Sequence, residues 1–428
     1  MSLYRLLFAG LFAAAYLSTQ TAPAAAQGNT KPQSWFQFGA EFRGRFEGAT
    51  GLNYTPDRND FYYLHRIRLN LSIQPASWLR FFVQPHNVLA PGHRGPVPAS
   101  VEAPFDFHQG FAELTRRGWT VRAGRQEVNF GAQRLIGSAN WGNTSRSYDG
   151  LRATRRLSSA TVDAFATTVV QTERDRLDSF LDTARQLHGV HVASDKWIRG
   201  GLLEAYSFWK ISNSEPDPAG AAGRTSHYTA GLRALGKLPR RFDYNLEMAL
   251  QAGQYASLGH RAWAGYWNLG YSLTGGERSP RLVATYTYAS GNKSYGQGRS
   301  RTFDQLYPTN HAYYGFADRH SWRNLHEAAG TLVLRPARGL IVNCELHSFW
   351  LTTRKDAFYD FNGRAVVRNP RATSNHLDVE ADVNAVWDLT RHLQIIVGYT
   401  HIFPGAFIEQ SSPGSPITVP YAQWLYRF

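Results

Sequence analysis

The chain has 428 residues, 43% hydrophobic and 14% aromatic, with a formal net charge of +14. A single cysteine, Cys344, excludes an intrachain disulfide framework and a cysteine-based zinc site. No stretch reaches the roughly 18 consecutive apolar residues of a spanning helix, which excludes a helical membrane protein.

In chain order, Arg5 is followed by the apolar run from Leu6 to Leu17. Ala24 and Ala26 then stand in the small-x-small arrangement of a signal-peptidase site. Residues 1–26 therefore read as a signal peptide, and residues 27–428 as one exported domain. From Ser34 onward polarity alternates with period 2, which marks strands. In "WFQFGAEFRGRFE", Phe36, Phe38, Ala40, Phe42 and Phe46 share one face, opposite Gln37, Glu41, Arg43, Arg45 and Glu47. In "FYYLHRIRLNLSIQ", Phe61, Tyr63, Ile67, Leu69 and Leu71 oppose Arg66, Arg68, Asn70 and Ser72. The same pattern returns in "FDYNLEMALQ" and "HLDVEADVNAVW". These segments run to about 10–14 residues, longer than the roughly 5–6 of an ordinary strand and close to a tilted bilayer-crossing one.

Eighteen strands are predicted: 34–47, 61–74, 78–88, 105–116, 119–126, 147–156, 160–171, 187–194, 198–211, 225–236, 241–252, 261–274, 281–290, 323–335, 339–352, 375–388, 392–403 and 421–428. Tight breaks such as "RRGW", "GKLPRR" and "DLTRH" alternate with long polar stretches at 89–104, 127–146, 291–322 and 353–374. The closing "WLYRF" places Trp424, Tyr426 and Phe428 on one face, as at a bilayer interface. The fold class is all-β: a transmembrane antiparallel β-barrel of about 18 strands in the bacterial outer membrane, with short periplasmic turns and long external loops. The loop at 291–322 is expected to cover or fold into the external mouth. Outward Trp263, Trp267, Trp350 and Trp387 read as girdle residues, and Tyr148 and Tyr266 as inward rings.

Only six of the 46 basic residues are lysine. Arginine's planar fork suits two-point binding of carboxylate or phosphate. Alternation turns Arg43, Arg45, Arg66, Arg68, Arg80, Arg122, Arg152, Arg233 and Arg427 inward. Inward acids are Glu41, Glu47, Asp163, Glu247, Glu345, Glu380 and Asp382. Opposite charges on neighbouring strands account for about half of these as pairs. The excess of arginine on the first six strands points to an anion-conducting lumen.

The stretch "RAGRQEVNFGAQRLIGSANWGNTSRSYDGLRATRR" from residue 122 resembles the alginate export family of outer-membrane barrels. Further matches are "YTYASGN" at 286–292, "FDQLYPTNHAYYGFADRHSWRNLHE" at 303–327 and "GYTHIFPGAFI" at 398–408. The resemblance implies an arginine-lined constriction that passes acidic polysaccharide such as alginate, with loops that gate the pore. By matching motifs it makes Arg125 and Arg152 constriction residues, with Arg66 and Arg68 beside them. Strand 17, "LQIIVGYTHIF", departs from the pattern in having no arginine. The second reading is a general anion-selective porin for uptake of small acidic solutes.

No Gly-x-Ser-x-Gly, phosphate-cradling loop or His-Glu-x-x-His occurs, so no catalytic residue, metal ligand or cofactor is expected. The expected partners are outer-membrane lipid, an anionic glycan or small anions, and a periplasmic export partner. Nucleic acid is disfavoured by export.

Overall fold

The computed structural model describes residues 35–94, 100–213, 215 and 223–428. The signal peptide at 1–26 and Ser34 of the first predicted strand lie outside the described residues.

Eighteen long strands form one closed antiparallel barrel. They are β1 Phe36–Ala49, β2 Asp60–Ala76, β3 Leu79–Leu89, β4 Ala103–Arg116, β5 Trp119–Gln126, β6 Tyr148–Arg156, β7 Thr161–Val169, β8 Arg185–Ser194 and β9 Gly201–Ser212. The second half is β10 Thr225–Lys237, β11 Phe242–Tyr255, β12 Leu258–Ser272, β13 Arg281–Ala289, β14 Leu325–Ala337, β15 Leu340–Leu351, β16 His376–Asp388, β17 Leu393–Pro404 and β18 Ile417–Arg427. Each pairs with its sequence neighbours, and β18 closes on β1 with Glu41 opposite Arg427 and Phe46 opposite Ala422. Closure satisfies every strand edge internally, which the hydrocarbon core demands. The one α-helix among the described residues is a single turn, Ala406–Glu409.

Period-2 alternation gives the wall its two faces. Phe38, Phe46, Leu151, Leu250, Val397 and Phe403 stand on the outer face, each more than half exposed. Gly44 shows how rings cover the seam: a Cβ there would collide with the Trp424 indole and the Tyr63 hydroxyl. The last strand begins four residues earlier than predicted, at Ile417 rather than Tyr421. The observed strand contains Pro420, which has no N–H to donate to a ladder. The ladder to β1 skips Pro420 and resumes as an isolated bridge between Thr50 and Thr418.

Phe428 extends the seam, exchanging two backbone hydrogen bonds with Ala40, each 3.1 Å. Its ring, 53% exposed, lies 5.8 Å from that of Phe38. Deleting Phe428 removes both bonds and leaves the first lipid-facing rings uncovered. The expected result is a severalfold lower yield of heat-modifiable folded barrel in the outer membrane; an unchanged yield would show that the seam closes without it.

The external loops turn inward. Residues 127–147, between β5 and β6, and residues 290–324, between β13 and β14, meet inside the barrel. Tyr307 donates to the Leu135 carbonyl at 2.9 Å, Gly137 to Tyr307 at 2.9 Å and Thr309 to Gln133 at 2.8 Å. The second loop packs Phe303, Tyr314 and Trp322, each at most 1% exposed, into the outer half of the lumen.

Candidate functional site

Four of the inward arginines act on one loop. Arg43 donates to the Asn140 carbonyl at 2.8 Å and to Oδ1 of Asn143 at 2.9 Å. Arg45 donates to the Trp141 carbonyl at 2.7 Å and lies 3.9 Å over its ring, while its Nε pairs with Glu47 at 2.6 Å. Arg66 binds Glu41 at 2.7 Å and the Asn140 carbonyl at 3.1 Å. Arg68 donates to the Thr144 carbonyl at 3.2 Å. Arg43 and Arg66 are direct cross-strand partners, an arrangement of like charges that would repel if left bare. Loop carbonyls and Glu41 supply the compensation, so β1 and β2 grip residues 140–144.

The other predicted arginines sit in separate ion-pair clusters. Glu113 takes both Arg122 at 2.5 Å and Arg80 at 3.2 Å. Arg152 pairs with Asp163 at 2.8 Å and Arg233 with Glu204 at 2.5 Å. Arg125 faces Asp149 at 2.8 Å, Asp106 at 3.6 Å and Asp178 at 3.9 Å. Glu113, Asp106 and Asp149 were not among the predicted inward acids, and they narrow the expected excess of arginine on the first six strands. Glu113 has a local cause. The β3–β4 ladder shifts register where Gln84 pairs with Gln109 and Pro85 with Phe107, a bulge at His108. A bulge inserts one residue and reverses the alternation beyond it, turning Phe111 and Glu113 inward.

Three carboxylates about one guanidinium exceed its charge. Burial raises the Asp178 carboxyl to about 7, and the neighbouring Asp106 adds to the rise. A carboxyl with a raised folded-state pKa makes the docked loop less stable as pH climbs from its unfolded value to the folded one. Residues 173–182 are therefore expected to exchange amide hydrogen more slowly at pH 5 than at pH 8, after correction for intrinsic rates. Asp178→Asn should hold the slow rate at both; equal protection in the parent at both pH values would contradict this.

Among the described residues a cavity of about 480 Å³ opens in the lumen, on the wall formed by β11 to β18 and β1. Of the arginines expected to set selectivity (Arg43, Arg45, Arg66, Arg68, Arg80, Arg122, Arg125, Arg152 and Arg233) only Arg43 lines it, and of the predicted counter-charges only Glu345. Arg281 and Arg427 also line it, paired with Asp243 and Glu41 respectively. Glu247 accepts from the Tyr206 hydroxyl at 2.9 Å. Glu380 accepts the Ala317 N–H at 2.8 Å, and Gly315, with φ of +80°, lets the loop approach that carboxylate. Asp382 accepts from Thr400 at 2.5 Å and lies 3.6 Å from His347, which also contacts Glu327 at 2.8 Å and Glu345 at 3.2 Å.

Two lining arginines were not singled out in the sequence, Arg281 and the more telling Arg134, within the "GAQRLIG" loop. Arg134 is 2% exposed, and no carboxylate lies within 4.0 Å of it among the described residues. Its guanidinium lies 3.5 Å from the Tyr266 ring and 3.8 Å from that of Tyr313, and its Nε has no hydrogen-bond partner. Burial opposes the charge, but Tyr266, Tyr314, Tyr313 and Glu247 outweigh it and hold the guanidinium firmly protonated. Ring faces attract a cation without cancelling its charge. A cavity-lining arginine held this way retains its attraction for an anion. Its signal in the sequence was position alone, inside a motif already notable for its resemblance.

A model of the alginate export family matches residues 34–417. The chain belongs to that family. The chain is a bacterial outer-membrane β-barrel of the porin type. Among solved structures, it is similar to Pseudomonas aeruginosa OccK2 (OpdF) in complex with glucuronate, at a TM-score of 0.61 and 9% identity, covering 92% of this chain and 98% of that one. It is similar to Pseudomonas aeruginosa OpdK with vanillate, at 0.61 and 10% identity, over 92% and 98%. Pseudomonas aeruginosa OccK11 (OpdR) gives 0.59 and 10%, over 92% and 96%. At such identities the likeness is one of fold. No curated protein matches the chain.

Proposed function

We propose that this alginate export family barrel is a non-catalytic channel for acidic saccharides, whose carboxylates are received by Arg134. The observation that carries this reading is Arg134: a buried, charged, cavity-lining arginine held by tyrosine rings. Tyr266 and Tyr313 beside it offer aromatic faces against which a sugar ring can stack. Family membership supports an alginate-like polysaccharide as cargo, with a periplasmic partner to deliver it. The clusters at Arg66, Arg68, Arg125 and Arg152 brace the loops and the wall around the pore, their charge largely met by carboxylates and loop carbonyls.

A second reading is uptake of small acidic solutes. It is favoured by the two inturned loops that line and narrow the cavity, and by glucuronate and vanillate in the solved structures of similar fold. Proteoliposome swelling tests the shared core of both readings. Glucuronate and a uronate disaccharide should enter faster than glucose and maltose of matched size, and equal rates would remove the anion preference. Passage of long uronate chains would favour the polysaccharide reading; passage of monomers alone would favour uptake.

A further inference from the structure

The net positive charge of the chain collects outside the lumen, on the short turns at the periplasmic end. Arg116 and Arg117 end β4; Arg155 and Arg156 end β6; Lys196 and Arg199 lie between β8 and β9. Lys237, Arg240 and Arg241 join β10 to β11; Arg278, Arg335, Arg338 and Arg391 continue the series through the last turns. The acids on these turns are Asp195, Glu277 and Asp388. Most of these cations are exposed, with Arg155 and Arg335 half-buried. Among the described residues the one ion pair they make is Lys196 with Asp195, at 3.8 Å and largely in solvent. The external loops are less uniform: residues 170–184 hold four acids against two bases, whereas residues 352–375 hold five bases against two acids.

Large apolar side chains stand in the same turns. Trp119 follows Arg117, Leu157 follows Arg156, Trp197 follows Lys196 and Leu238 follows Lys237; they are 49%, 50%, 51% and 44% exposed. Trp387 and Leu389 accompany Arg391 at 42% and 45%. A Trp or Leu beside one or two cations is the composition of a bilayer interface, with the ring at headgroup level and the charge on the headgroup. The cations are spread over seven turns around the barrel rather than gathered on one side, which fits an encircling lipid leaflet better than the localised patch of a docked protein.

We infer that the periplasmic rim is a binding surface for the anionic headgroups of the inner leaflet of the outer membrane. It selects phosphatidylglycerol-type lipid into the shell around the barrel and fixes the depth of the turns. The full barrel, reconstituted in phosphatidylcholine vesicles with a minor fraction of brominated phosphatidylglycerol, tests this against a paired sample carrying brominated phosphatidylcholine. Tryptophan quenching should report an enrichment of about fivefold for the anionic lipid, the factor given by roughly 1 kcal/mol per interfacial basic residue. Raising salt to about 1 M shortens the screening length to roughly 3 Å and should erase the difference. The variant Arg116→Gln, Arg117→Gln, Arg240→Gln, Arg241→Gln should lower the preference while remaining heat-modifiable. Equal quenching by the two lipids in the parent at low salt would overturn the assignment. Equal quenching together with salt-sensitive binding of uronate oligomers that the variant loses would also overturn it, making the rim a collector of cargo.

Discussion

Shortening the loop between β13 and β14 by residues 305–318 is expected to raise single-channel conductance severalfold. The loop's grip is local and buried. Asp304 accepts from Lys210 at 2.7 Å, lies 3.0 Å from Nε2 of His227 and exchanges two bonds with Gln251. Burial pushes the Asp304 carboxyl up, but Lys210 and His227 outweigh it and hold it well below the ordinary carboxylate value. Removing one partner of a buried pair costs about 3–5 kcal/mol, because it strands the other charge. Asp304→Ala should therefore free the loop without removing it, giving a current that flickers between the parent level and a larger one. A deletion that folds and conducts like the parent would place the barrier elsewhere, in residues 127–147.

Reversing the charge at Arg134 is the second large effect. Two unit charges about 4 Å apart interact by roughly 1 kcal/mol in bulk water and about 4 kcal/mol at an effective dielectric of 20. Arg134→Glu changes the local charge by two units inside a narrow wall. The reversal potential across a salt gradient should move from anion-favouring to neutral or cation-favouring, with Arg134→Gln between. Arg125→Gln is expected to move it much less, since Asp149, Asp106 and Asp178 already surround that charge. If Arg125→Gln shifts selectivity as much as Arg134→Gln, the paired arginines set the field and the cavity assignment is wrong.

The barrel was legible because membrane strands carry their instruction locally: period-2 polarity, unusual length and turn chemistry at each end. The predicted strands follow the observed ones to within a few residues, with the largest departure at Ile417, where a strand accommodates Pro420. The inward direction of Arg43, Arg66 and Arg152 was legible for the same reason. Their partners were not. Whether Arg66 meets a solute or the Asn140 carbonyl depends on how a 21-residue loop folds back, and alternation says nothing about loops. Glu113 was lost to a single inserted residue at His108, which has no strong sequence mark. Arg134 was hidden for a third reason: its surroundings come from Tyr266 on β12 and Tyr313 on another loop, brought together only by closure.

Block of single-channel current by a uronate trisaccharide, compared with a neutral trisaccharide of matched size, tests the channel and its anion site together. The parent barrel in a planar bilayer at low salt should show concentration-dependent block by the uronate and little by the neutral sugar. In Arg134→Gln the uronate block should weaken about tenfold, an effect near 1.4 kcal/mol, with open-channel conductance largely retained. Equal block by the two sugars, or a uronate block untouched by Arg134→Gln, would contradict the account.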